Sequence, residues 1–288
     1  MDSLVDTAWL QTHLDDTDLR ILDCTVVFEL EEGGKISFFS GREDYEQAHI
    51  PGSGFADILG ELSNTDSLHL FTLPSAAKFS QSMEALGVGE GTRVVLYDTT
   101  YSMWATRVWW MLQAFGFEKA GVLDGGFTAW QAAGARISDQ PNEVRRAKFN
   151  AAPRNGWFVE IPGVQDAITD PKSTCLIDAL MPDMYTGAQT PYSRPGHIPG
   201  ALNVPAVSVV DPETRLFISD DQIRERFAAA FSDPEQSVIT YCGSGIAATA
   251  DGFLLRLAGK QNVAVYDGSM AEWTADASLP LVMGENPR

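Results

Sequence analysis

Cysteine is scarce in this chain, with three in 288 residues. Cys24, Cys175 and Cys242 form no Cys-x2-Cys pair, and the four histidines are scattered. Neither a disulfide framework nor a metal site is therefore expected. Basic residues are also short: 20 Lys and Arg face 39 Asp and Glu, a formal net charge of −19. Such a surface repels nucleic-acid phosphates. A small anionic substrate would need a local island of amides or arginines. No stretch approaches the ~20 uninterrupted apolar residues of a membrane helix. The start, Met1-Asp2-Ser3-Leu4-Val5-Asp6, lacks the basic and apolar character of a secretory signal, so cytoplasmic residence is the expectation. What remains, 44% hydrophobic and 20% charged, suits a soluble globular protein long enough for two domains of roughly 140 residues.

Strand and helix patterns alternate. Asp6 caps a short helix to Leu14, and Leu19–Cys24 reads as a strand. Residues 28–40 have no clean period and read as loop. A turn or two of helix over 43–48 precedes His49-Ile50-Pro51-Gly52, and 53–73 read as irregular. An amphipathic helix over 75–86, a strand over 93–98, a helix over 104–115, a strand over 120–124 and a helix bearing Phe127 and Trp130 follow. This alternation implies a parallel sheet with helices on both faces.

The second half repeats the first. Leu176-Ile177-Asp178 echoes Ile21-Leu22-Asp23, and His197-Ile198-Pro199-Gly200 repeats His49-Ile50-Pro51-Gly52. Cys242 lies 144 residues after Asp98, while Ala248, Asp267 and Trp273 lie 143 after Ala105, Asp124 and Trp130. The first loop is thus one residue longer. Two copies of one α/β domain are expected: 1–138, a turn-rich linker over 139–156, and 157–288.

The copies differ where a strand meets a helix. In Val238-Ile239-Thr240-Tyr241-Cys242-Gly243-Ser244-Gly245, four β-prone residues run into a cysteine and a small loop, and a helical pattern follows to Leu257. Loop amides and the first helical turn can converge on the sulfur and favour its thiolate. A lone cysteine at a strand end is more often a small apolar core residue. Here Gly243 and Gly245 clear space for inward-pointing amides, which a core strand does not need. The first copy carries Asp98 instead, which cannot be a sulfur nucleophile. One active and one supporting copy follow. Each HIPG reads as a structural turn, with His49 also a candidate proton carrier for the other copy.

The paired HIPG elements, the DGG-x4-W pattern from Asp124 to Trp130, and Cys242-Gly243-Ser244-Gly245 together resemble the two-domain rhodaneses, among them the 3-mercaptopyruvate sulfurtransferases. That resemblance implies two tandem rhodanese-like domains, no cofactor, and a Cys242 persulfide. The persulfide would form from a small-molecule sulfur donor and pass to a thiol such as thioredoxin, or to cyanide. It further implies that the amides of Gly243, Gly245, Ile246, Ala247 and Ala248 hold the outer sulfur. Ser244 and His49 would form a proton relay, and Arg194 would bind the donor carboxylate. A second family arginine is replaced by Met184. A thiosulfate-preferring enzyme and a persulfide carrier or sensor are the alternatives. A Cys-x5-Arg phosphatase is set aside, because Ala248 stands at the arginine position.

Overall fold

A computed structural model describes residues 1–30, 36–142 and 144–287. Its twelve strands are β1 (Leu4–Val5), β2 (Leu19–Asp23), β3 (Val26–Leu30), β4 (Ile36–Ser40), β5 (Ser53–Phe55), β6 (Arg93–Tyr97), β7 (Ala120–Leu123), β8 (Phe158–Val159), β9 (Thr174–Asp178), β10 (Leu202–Asn203), β11 (Ser237–Tyr241) and β12 (Val263–Tyr266). Contacts divide the chain into two units. Among the described residues, the first takes those within 1–28, 38–154 and 211–217; the second takes those within 29–37, 155–210 and 218–287.

Each unit holds one all-parallel five-stranded sheet, ordered β1-β7-β6-β2-β5 in the first and β10-β9-β11-β12-β8 in the second. Read from the opposite edge, the second order is the first again. Asp23 pairs with Tyr97 as Asp178 pairs with Tyr241, so register repeats along with order. The near-continuous apolar runs of β6 and β11 suit strands covered on both faces.

The cores repeat too. Trp130 and Trp273 are each fully buried, and each indole N–H donates to a carbonyl beyond its helix, Arg136 O at 2.7 Å and Pro280 O at 2.9 Å. A large apolar ring with its one donor satisfied is a low-cost way to fill a core. The HIPG turns are built alike. His49 stacks on Tyr45 and His197 on Tyr185, each ring Nδ1 facing that tyrosine's carbonyl. The amides of Ile50 and Ile198 donate to the Tyr97 and Tyr241 hydroxyls.

Two local expectations are corrected. Residues 26–30 and 36–40 pair as a two-stranded ribbon, not a loop; 31–35 lie outside the described residues. Residues 53–55 are strand β5, held in the sheet beside β2. The stretch expected as linker lies along the first unit as far as Arg154. Ala147 N–H donates to Glu84 O, and Arg154 N–H to Ala114 O.

Candidate active site

Cys242 follows β11, the middle strand of its sheet, at the carboxyl end where parallel α/β sheets place their ligands. The loop 243–246 leads into the helix Ala247–Leu257. Gly245 takes φ +71°, a left-handed conformation that glycine adopts without penalty. Gly243 is small for a different reason: a Cβ there would collide with the hydroxyl of Tyr192.

The loop is pinned from below by Ser269, which is fully buried. Its hydroxyl donates to Tyr266 O at 2.7 Å and accepts from the amides of Cys242 and Gly245, both at 3.1 Å. Ser269 does this from φ +50°, where a non-glycine residue is strained. The first unit has Gly126 at the matching place, with φ +54°. The carbonyls are held alike: Cys242 O accepts from Met270 N–H and Asp98 O from Phe127 N–H, each at 3.0 Å.

The decisive difference lies inside the loop. In the first unit the Asp98 carboxylate fills it. Oδ1 accepts from Thr100 N–H (2.8 Å), Thr100 Oγ1 (3.2 Å) and Ser102 N–H (3.1 Å); Oδ2 accepts from Trp104 and Ala105 N–H, both at 3.0 Å. Burial raises the Asp98 pKa while those amides oppose the rise. Five donors and no acceptor describe an anion site that is already full. In the second unit the sulfur stands where that carboxylate begins. The amides of Ser244, Ile246, Ala247 and Ala248 have no acceptor among the described residues. Cys242 itself is 2% exposed, which shields it from bulk water. The other two thiols are core residues: burial pushes Cys24 well up and Cys175 to about 11.

The expected site residues divide. Cys242, Ser244 and the amides over 243–248 form one cradle, with Ser244 partly buried on its wall. Arg194 is engaged within the fold. Its guanidinium donates to four main-chain carbonyls, Trp273 O (3.1 Å), Thr274 O (3.1 Å), Asp276 O (2.6 Å) and Leu279 O (2.9 Å). Those carbonyls end a helix and begin a turn, where a cation is favoured. His49 is 1% exposed; Nδ1 lies 2.6 Å from Tyr45 O and Nε2 3.1 Å from Gln140 O, and a neutral ring can donate to one of these carbonyls. Met184 is partly buried on the helix Pro182–Thr186 and offers no charge.

Three residues went unread in the sequence. Ser269 could have been noticed, since Asp267-Gly268-Ser269 departs from Asp124-Gly125-Gly126 only in its last member. Tyr192 and Asp251 gave weaker signs. Asp251 is fully buried on the helix behind the Cys loop, and neither carboxyl oxygen has a hydrogen-bond partner among the described residues. Its first-unit counterpart, 143 residues earlier, is the buried Val108. Burial raises the Asp251 pKa well above the ordinary carboxylate value, and the charge of Asp178 adds to the rise. Among the described residues no group of three His, Cys, Asp or Glu could hold a metal ion, and no helix is long and apolar enough to cross a membrane.

A duplicated α/β sheet with a cysteine heading an amide cradle defines a class, and comparison with known sequences agrees. The family model for the rhodanese-like domain matches residues 6–133 and again 163–276, so the chain belongs to the rhodanese family. Among individual relatives, the 3-mercaptopyruvate sulfurtransferase of Escherichia coli K12 is 32% identical over 278 residues, covering 95% of each chain. The thiosulfate sulfurtransferase of Rattus norvegicus is 32% identical over 286 residues, 94% of this chain and 91% of its own. The crystal structure of SseA from E. coli, titled as a 3-mercaptopyruvate sulfotransferase, superposes with a TM-score of 0.82 at 30% identity, covering 93% of this chain and 99% of that one.

Proposed function

We propose that this chain is a sulfurtransferase that moves a sulfane sulfur from 3-mercaptopyruvate to a thiol or cyanide acceptor through a Cys242 persulfide. One observation carries the reading: the amide ring that Asp98 fills in the first unit is left without an internal acceptor around Cys242. Such a ring stabilises a sulfur anion and, after transfer, the outer sulfur of a persulfide. In the first step the Cys242 thiolate attacks the donor sulfur and an S–S bond forms. The C–S bond breaks and its electron pair goes to carbon as pyruvate enolate. The enolate takes up the proton released by the donor thiol, giving pyruvate and Cys242–S–S⁻. In the second step an acceptor thiolate or cyanide attacks the outer sulfur, the S–S bond breaks, and the Cys242 thiolate returns.

In this scheme Ser244, two residues after the nucleophile, passes the proton. His49, with main-chain carbonyls facing both ring nitrogens, is assigned to its turn in this reading. Reduced thioredoxin in the cytoplasm is the proposed acceptor, consistent with three cysteines that are all unpaired. Thiosulfate comes second as a donor because residues 243–248 include no Lys or Arg to balance a dianion. Steady-state turnover of both donors, with Cys242→Ser as control, tests the reading. Intact-mass analysis should show Cys242 gaining one sulfur on donor treatment. An enzyme that gains none from either donor is no sulfurtransferase. Sulfur uptake without turnover would make the chain a carrier.

A further inference from the structure

Between the tyrosine that stacks on the HIPG histidine and that histidine, the first unit spans Tyr45 to His49 and the second Tyr185 to His197. The second unit therefore carries eight additional residues at this point. Two of the residues in the longer segment reach far from it. Arg194 ties the segment to the turn 273–279 through its four carbonyl contacts. Tyr192, two residues earlier, packs its ring against the buried cluster of Ile239, Tyr241 and Trp273. Its hydroxyl lies against Gly243, next to the reactive sulfur, in the space a Cβ there would need. Among the described residues that hydroxyl has no hydrogen-bond partner. Burial first, then the charges of Cys242 and Asp178, raise the Tyr192 pKa, so the phenol keeps its proton and remains a donor at working pH.

The two positions that the resemblance assigns to donor-binding arginines thus offer no free charge. Met184 is apolar, and the one arginine of the inserted segment is occupied elsewhere. We infer that Tyr192 is a substrate-binding, specificity-determining residue whose O–H donates to the anionic end of the sulfur donor held over the Cys242 loop. Arg194 positions it by fastening the segment. The inference rests on the sulfur-transfer reading and names the residue that recognises the donor. A neutral hydroxyl binds an anion more weakly than a guanidinium does, so the enzyme accepts a lower donor affinity without a fixed positive charge beside a sulfur anion. The carboxylate of 3-mercaptopyruvate is the anionic group it suits. Cyanide, which discharges the persulfide, carries no such end.

The test compares wild type, Tyr192→Phe and the double variant Tyr192→Phe/Met184→Arg. Phenylalanine keeps the ring and its packing, so the melting temperature should hold. The KM for 3-mercaptopyruvate should rise roughly 3- to 10-fold with kcat little changed, the loss expected for one hydrogen bond to an anion. The rate at which cyanide discharges preformed persulfide should stay at the wild-type value. Adding Met184→Arg should bring KM back down by supplying a charged donor. Two results overturn the inference: a KM unchanged in Tyr192→Phe while wild type turns over, or slowed discharge together with a lowered melting temperature, which marks a purely structural tyrosine. If wild-type Cys242 takes up no sulfur at all, the sulfur-transfer reading itself has failed, and the assignment of Tyr192 goes with it.

Discussion

Replacing Asp251 with valine should make this protein more stable, most visibly at alkaline pH. Asp251 is a carboxyl group with no exposure and no hydrogen-bond partner for either oxygen among the described residues. Leaving such a group unpaired costs about 1–3 kcal/mol even when it is protonated. Valine is branched and apolar, and Val108 already occupies the equivalent place in the first unit with no exposure. Allowing for the added apolar burial, Asp251→Val should gain about 2–4 kcal/mol near pH 7. That corresponds to roughly 5–12 °C in the melting of the second unit.

The pH dependence has a definite sign. The folded-state pKa lies well above the ordinary 3.8. At pH values between the two, the folded chain holds a proton that the unfolded chain has released. Raising the pH through that interval therefore weakens the folded state, by up to about 1.4 kcal/mol per pH unit. Below 3.8 the effect vanishes. Asp178, raised to about 7 mainly by burial, loses stability in the same direction between 3.8 and 7 in both proteins, and its charge adds to the Asp251 slope in wild type alone. Urea unfolding followed by tryptophan fluorescence at pH 5, 6, 7 and 8 gives the comparison. The advantage of the variant should widen as the pH rises. Asp251→Asn should remove the pH slope with little gain in stability. A valine variant no more stable than wild type, or an advantage equal at pH 5 and pH 8, would refute the account of Asp251 as an unpaired, protonated acid.

Arg194→Ala should destabilise the second unit by about 2–4 kcal/mol in urea unfolding, because four carbonyls lose their donor. Lysine should rescue it only in part, since one ammonium cannot reproduce the planar fork. Asp98→Ala should lower the stability of the first unit by about 2–4 kcal/mol, because the four amides converging on the carboxylate lose their acceptor. Asp98→Asn should recover part of that, with differential scanning calorimetry as the readout.

The fold was legible in the sequence because its signals are local and doubled. Apolar runs at 93–97 and 237–241, Asp6 as a helix cap, and the two HIPG turns each carry their own period or stop signal. The ribbon of β3 and β4 escaped because its alternation is short and broken by a Gly-Gly stretch. Strand β5 is only three residues long and is fixed by β2, a partner it meets only in the folded chain. The tight loop after Cys242 was legible from its glycines, but the role of each glycine was not. Gly245 answers a backbone torsion, whereas Gly243 answers a tyrosine 51 residues earlier in the chain. The partners of Arg194 could not be read because they are carbonyls about 80 residues downstream. A guanidinium looks the same in a sequence whether it will face substrate or a helix end.

Asp98 amounts to a ligand that can never dissociate. Under the proposed function, the same ring of amides is permanently saturated in one half of the molecule and reversibly filled in the other. By mass action, the order of the Cys242 loop then tracks how much donor surrounds the protein, while its twin stays set at every concentration. The silent copy is in this sense a built-in record of the liganded state.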